Sequence, residues 1–191
     1  MRVLALMLAV LATVPAISRA QSAPSASANK GYEIAFSYER VRTNAQPSEC
    51  GCFGLNGGGV SGAVALTPHF SAVAKMDSET LTNVQGTGNS LTLTSAHAGI
   101  RAYLTGHRVP SRLRPFAELL PGAVHVGGSA SGSAAGTIQF SGRAGGGADL
   151  FFSRHIGWRI AEIDYDLTIF SNGSTDRQNN LVTGSGLIYR W

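Results

Sequence analysis

The sequence predicts an all-β fold: eight antiparallel strands closed into a transmembrane up-and-down barrel. Three observations predict it. Apolar and polar residues alternate with period two through most of the chain, as in strands with two unlike faces. Only 14% of the residues are charged and 24 of the 191 are glycine, whereas a water-soluble domain carries about 25% charged residues. Beyond the N-terminal segment no apolar run is long enough for a spanning helix, so a membrane crossing must use a closed barrel. A soluble antiparallel sheet can also alternate, because one face can meet water. Low charge and abundant glycine favour a barrel facing lipid.

Residues 1–20 read as a cleavable secretory signal. Arg2 is the positive start, residues 3–14 are apolar, Pro15 breaks the run, and Ser18-Arg19-Ala20 supplies small residues for a cut after Ala20. A retained anchor is the alternative, but the apolar core is short for it. Residues 21–30 are a Ser/Ala-rich stretch without periodicity, expected as a flexible tail. Residues 31–191 are the expected barrel domain.

Residues 31–42 form the first strand, with Tyr32, Ile34, Phe36 and Tyr38 on one face and Glu33, Ser37 and Glu39 on the other. Residues 43–58 form a loop holding Cys50-Gly51-Cys52. In an exported chain these thiols meet an oxidising compartment. A loop-stiffening disulfide between Cys50 and Cys52 is expected, strained by its small ring; unpaired thiols are the alternative. A redox or metal motif would use a two-residue spacer and more ligands. Residues 59–67 and 69–77 make a hairpin over Thr67-Pro68-His69. Val60, Val64 and Leu66 share a face of the first arm. Phe70, Ala72, Ala74 and Met76 point outward from the second, Ser71, Lys75 and Asp77 inward.

Residues 78–89 read as a polar loop. In 90–104, Ala96, Ala98, Ile100 and Ala102 oppose Ser95, His97, Arg101 and Tyr103. The link 105–114 is basic. Residues 115–126 are a fifth strand whose alternation is blurred by Leu119-Leu120 and by Pro121, a residue confined to edges and bulges. Residues 127–136 are a Gly/Ser/Ala loop. Three strands complete the chain. In 138–152, Ile138, Phe140, Ala144 and Leu150 oppose Ser141, Arg143 and Asp149. In 159–170, Ala161, Ile163, Tyr165 and Leu167 oppose Glu162, Asp164 and Asp166. After a loop at 171–180, the last strand places Leu187, Tyr189 and Trp191 opposite Gly186 and Arg190.

The ordered set Leu113-Arg114-Pro115-Phe116-Ala117, Gly122-Ala123-Val124-His125, Gly145-Gly146-Gly147-Ala148-Asp149, Glu162-Ile163-Asp164-Tyr165 and Gln178-Asn179-Asn180, with the aromatic end at Trp191, resembles the small OmpA/OmpX-like outer-membrane β-barrel proteins. It is most like the group common in soil acidobacteria. The resemblance spans nearly the whole chain after the signal and is strongest from residue 113. It implies residence in the outer membrane of a Gram-negative cell, with both termini periplasmic and the loops 43–58, 78–89, 127–136 and 171–180 facing outward. Family members end in Phe, where this chain has Trp. By resemblance, Leu187, Tyr189 and Trp191 form the signal read by the barrel-assembly machinery. The partners implied are outer-membrane lipid or lipopolysaccharide and an unidentified surface ligand, with the barrel a monomer.

The inward face is expected to hold Glu33, Glu39, Asp149, Glu162, Asp164 and Asp166 against Lys75, Arg101, Arg143 and Arg190. An eight-stranded barrel is just wide enough to be filled by side chains, so these charges form a salt-bridged plug in a closed lumen. A narrow solute or ion path is the competing reading. A lipid A-modifying enzyme, as some small outer-membrane barrels are, is the remotest reading, and enzyme chemistry is not expected. His69-Phe70-Ser71 sits at a turn, and His125, Ser129 and Glu118 are not fixed relative to one another, as a hydrolase would need. No cofactor or metal is expected, because the five His are dispersed. The Gly runs 57–59 and 145–147 open no helix and precede no Gly-Lys-Ser/Thr, so they are not phosphate loops; they permit curvature and close packing. The net charge is +4, but the arginines form no stripe, which argues against nucleic acid. A soluble lipocalin-like carrier is the reading from another class; it would have an apolar interior and a polar outside.

Overall fold

The computed structural model describes residues 31–43, 53–86, 88–104, 111–129, 136–169 and 177–191. The signal segment, the tail and Cys50–Gly51–Cys52 lie outside them. Eight strands follow in chain order: β1 (Tyr32–Thr43), β2 (Phe53–Ala65), β3 (Phe70–Leu81), β4 (Leu91–Tyr103), β5 (Leu113–Gly127), β6 (Ile138–Phe151), β7 (Ile156–Thr168) and β8 (Gln178–Arg190). Each pairs antiparallel with the next, and β8 pairs with β1, so the sheet is a closed up-and-down barrel. Its strands run 12 to 15 residues, more than the roughly 9–11 a tilted strand needs to cross a bilayer. No helix among the described residues is long and apolar enough to cross a membrane.

Both described termini and the turns 66–69 and 152–155 lie at one end, the termini end. The strand ends at Thr43, Leu81, Gly127 and Thr168 lie at the other, the loop end. At the seam, the Tyr32 and Trp191 backbones hydrogen-bond reciprocally, and their rings stack at 5.9 Å.

The barrel is inside-out relative to a soluble one. Its outer wall is apolar, with Phe36, Leu119 and Leu187 all more than 60% exposed. Tyr32, Phe70, Trp158, Tyr189 and Trp191 ring the termini end. Toward the loop end the wall turns polar through Arg40, Arg42, Asn56, Ser78 and Thr80. The interior holds the charges.

Three departures from sequence expectation have local causes. The strands run further into the predicted loops: β2 begins at Phe53, β3 continues to Leu81, and β8 begins at Gln178. Polar residues there face inward or the rim, so polarity does not end the ladder. β5 is continuous, with Pro121 on its outward face. Its pairing to β4 is interrupted between His97–Gly122 and Ile100–Leu119, where proline has no N–H to give. β7 carries a β-bulge: Asp149 pairs with Arg159 but Ala148 with Ala161, and Arg159 pairs with Gly186 but Glu162 with Gly184. Ile160 and Ala161 both face outward, and the extra residue turns Arg159 inward. The Ser185 hydroxyl donates to the Arg159 carbonyl at 2.9 Å beside the bulge.

Candidate functional site

The lumen is the one place where the fold gathers chemistry-bearing side chains. Among the described residues it buries nine carboxyl groups: Glu33, Glu39, Asp77, Glu79, Glu118, Asp149, Glu162, Asp164 and Asp166. Four bases are equally buried: Lys75, Arg101, Arg143 and Arg159. Strands β1 and β3 to β7 supply them. At mid-strand β2 and β8 supply small inward residues, among them Gly57, Gly59, Ser61, Gly184 and Gly186, which leave room for the long side chains of their neighbours. A Cβ on Gly59 would approach a Glu39 carboxylate oxygen at 3.0 Å, and one on Gly145 would collide with Asp164 Oδ1 at 2.2 Å. The glycines are therefore packing devices of the ion network.

The network is continuous. Toward the termini end, Arg101 Nε donates to Glu118 at 2.7 Å and its Nη1 lies 3.5 Å from Glu33. Arg159 Nε meets Asp149 at 2.9 Å and its Nη1 meets Glu162 at 2.8 Å. Phe116 lies between these two guanidiniums, its ring centre 4.3 Å from the Arg101 carbon and 4.8 Å from that of Arg159. In the middle, Lys75 bridges Glu162 and Glu39, the latter at 3.1 Å. Further on, Arg143 binds Asp77 through both terminal nitrogens, at 3.0 and 2.7 Å. It also reaches Glu39 and Asp166, each at 3.3 Å. Ser95 donates to Asp77. Above this layer an apolar cluster of Val41, Leu55, Leu93, Val124, Val126 and Val182 fills the loop end of the lumen.

The expected set is brought together only in part. Glu33, Glu39, Lys75, Arg101, Arg143, Asp149 and Glu162 are linked as described, and Asp166 joins through Arg143. Asp164 is buried, yet its nearest base is Lys75 at 3.9 Å, and neither of its carboxylate oxygens has a hydrogen-bond donor. Arg190 does not join. It makes no ion pair among the described residues and lies over Phe151, 4.0 Å from the ring centre. It sits at the mouth, beyond the reach of the carboxylates except Glu33, which is held by other arginines. The lumen is also not charge-filled throughout, because the loop end is packed with apolar side chains.

Sequence reasoning missed Arg159, which parity puts outside until the bulge is known. It missed Glu79, which falls in an expected loop, and Glu118, on the blurred strand. Leu187, Tyr189 and Trp191 lie on the outward face as parity predicts. Tyr189 and Trp191 are 5.8 Å apart.

One hydrogen-bonded trio has the composition of a hydrolytic triad. His97 Nε2 lies 3.0 Å from Ser141 Oγ, which donates to Asp166 at 2.5 Å. The order is wrong for catalysis. The acid engages the serine, His97 Nδ1 has no partner, and all three are buried, with Asp166 itself part of the Arg143 layer. His125 and Glu118 occupy opposite faces of β5, and Ser129 Oγ accepts the Ser90 N–H at 2.9 Å. Glu39 with Asp77 and Glu79, and Glu118 with Glu162 and Asp164, each bring carboxylate oxygens within 4.8 Å of one another. Lys75, Arg143, Arg101 and Arg159 already occupy most of those oxygens.

No family model matches the chain, and no curated protein matches it. Solved structures do. Ail, the attachment invasion locus protein of Yersinia pestis, superposes with a TM-score of 0.56 at 10% identity, over 85% of this chain and 99% of Ail. Neisserial surface protein A superposes with a TM-score of 0.59 at 9% identity, over 83% of this chain and 95% of that one. OprG of Pseudomonas aeruginosa gives 0.57 at 8% identity, over 85% and 96%. At these identities the likeness is one of fold: the chain has the fold of the small eight-stranded outer-membrane barrels.

Proposed function

We propose that the chain is a monomeric, non-enzymatic barrel of the outer membrane in the small OmpA/OmpX-like group, with a structural or surface-interaction role. The observation that carries this reading is the inside-out wall. Apolar and aromatic side chains cover the outside, while nine acids and four bases are sealed within. A soluble carrier would bury the first set and expose the second. Exposed Arg40 and Arg42 sit at the loop-end rim, where a lipid-facing charge costs about 0–1 kcal/mol instead of the roughly 2–4 of the midplane. There they would meet lipid or lipopolysaccharide phosphates. The loop-end connections would meet a surface ligand; Ail, which shares the fold, is described as an attachment invasion locus protein. The ion layers and the apolar cluster in series argue for a lumen that does not conduct.

Two measurements test the reading. Cell fractionation with heated and unheated gel samples should find a membrane protein of heat-dependent mobility. A soluble periplasmic protein without that shift would favour the carrier. In planar bilayers the reconstituted barrel should give no steady conductance; steady current would favour a narrow channel.

A further inference from the structure

The lumen is electrostatically lopsided. In its middle and upper layers, Glu39, Asp77, Glu79, Asp164 and Asp166 face only Lys75 and Arg143 as buried Lys or Arg side chains, while Glu162 is shared between Lys75 and Arg159. Near the termini end the balance reverses. Glu33, Glu118 and Asp149 face Arg101, Arg114, Arg159 and Arg190, and the turn beside them adds Arg154.

At that end the barrel opens into a vestibule of about 780 Å³, walled in part by Glu33, Tyr103, Arg114, Arg154, His155 and Arg190. Cavities of roughly 300–1,000 Å³ are the usual size for small-ligand sites. Arg114 and Arg190 lie over one aromatic ring, their guanidinium carbons 5.5 and 4.0 Å from the centre of Phe151. Arg114 is further placed by Tyr103, at 3.9 Å. Among the described residues, the one side-chain carboxylate within ion-pair distance of these arginines is Glu33. Its Oε2 is 3.5 Å from Arg114, while its Oε1 is shared by Arg101 at 3.5 Å and Arg159 at 3.7 Å. Arg190 Nε donates to the Arg154 carbonyl at 3.2 Å, and His155 Nδ1 lies 2.8 Å from the Arg190 carbonyl. These contacts position Arg190 without neutralising it.

Two guanidiniums held on one ring, with a third on the adjoining turn and a single acid side chain shared among three arginines, make a surface that is positive in excess and suited to an anion. We propose that this vestibule binds a phosphoryl oxyanion, with Arg114 and Arg190 as the paired donors and Arg154 at the entrance. Guanidinium forks match such oxyanions in charge and geometry. The site is a dead end. Behind it Arg101 and Arg159 are ion-paired with Glu118, Asp149 and Glu162 and packed on Phe116, so the anion binds at the mouth and does not cross. The phosphoryl group can belong to a soluble molecule or to a lipid headgroup at the membrane edge.

The test uses the full chain folded in uncharged detergent and titrated with inorganic pyrophosphate at constant ionic strength. Fluorescence of Trp191, which lines the vestibule, reports binding. A saturable change is expected, weakened about tenfold or more in Arg190→Gln and unaltered in Arg177→Gln, an exposed arginine just before β8 at the loop end. Heat-dependent gel mobility confirms that each variant is folded. Should Arg114→Gln fail to fold for want of its contact with Glu33, Arg190→Gln and Arg154→Gln carry the test. Repeating the titration in nanodiscs of phosphatidylcholine, with and without phosphatidylglycerol, separates the sources. Competition by the anionic lipid identifies a headgroup, and unchanged binding identifies a soluble ligand. No saturable response, or equal weakening by Arg177→Gln, overturns the proposal.

Discussion

Arg143 and Asp164 occupy the same lumen, yet they should respond oppositely to mutation. Among the described residues, Arg143 is the sole base within ion-pair distance of Asp77 and Asp166 and one of two for Glu39. Removing it leaves carboxylates buried without their partner, a loss of about 3–5 kcal/mol for a broken buried pair. Asp164 has only a 3.9 Å contact with Lys75, and it shares its surroundings with Glu118 and Glu162. Taking away its charge relieves crowding among acids. Urea unfolding of Arg143→Met should therefore show a strongly lowered midpoint, whereas Asp164→Asn should match or exceed the wild type. Equal losses in the two variants would mean that the network does not concentrate on Arg143.

Among the elements, β7 shows how one residue decides a face. With Ile160 and Ala161 both outward, Arg159 and Glu162 both point in and lie 2.8 Å apart at their closest atoms. Deleting Ala161 removes the bulge but leaves Arg159, Glu162, Asp164 and Asp166 inward, because the register on either side closes up by the one residue that is lost. The deletion should still yield a folded, heat-modifiable barrel. An alanine inserted between Asp164 and Tyr165 should not, since it turns Asp166 and Thr168 toward lipid. Gel mobility of the two proteins compares them directly, and a folded insertion alongside an unfolded deletion would contradict the assigned register.

For the molecule as a whole, two seals lie in series. Leu55 is fully buried in the apolar cluster at the loop end, and Leu→Ala in such a site costs about 2–5 kcal/mol. Leu55→Ala should lower the unfolding midpoint yet remain silent in planar bilayers, because the Arg143 layer still blocks the lumen. Current through this variant would show that the cluster alone closes it. Closure of the sheet is the other whole-molecule property. Trp191 packs on Tyr32 and Tyr189 across the seam between β1 and β8. Replacing it by alanine should reduce the assembled, protease-resistant fraction in cells and leave a degraded or periplasmic pool. Normal assembly would assign the seam no such role.

By itself the sequence determined the strand succession and, for most residues, the face. Parity along a strand is a local property, and lipid outside against packed charge inside writes it plainly: Phe36 against Glu39, Met76 against Lys75, Tyr165 against Asp164. It also marked Gly145 as a place of close packing. The tertiary structure decided which charges meet. Arg143 and Asp77 are 66 residues apart, and their pairing depends on how eight strands tilt and close, which no single strand records. Only the structure revealed that a bulge brings Arg159 inside, that β3 carries Glu79 past its expected end, and that Arg190 stands at the mouth over Phe151. Only the closed barrel gathered Val41, Leu55 and Val124 from three strands into one apolar seal. Faces follow from period two; partners follow from register and closure, and those are set by the whole sheet at once.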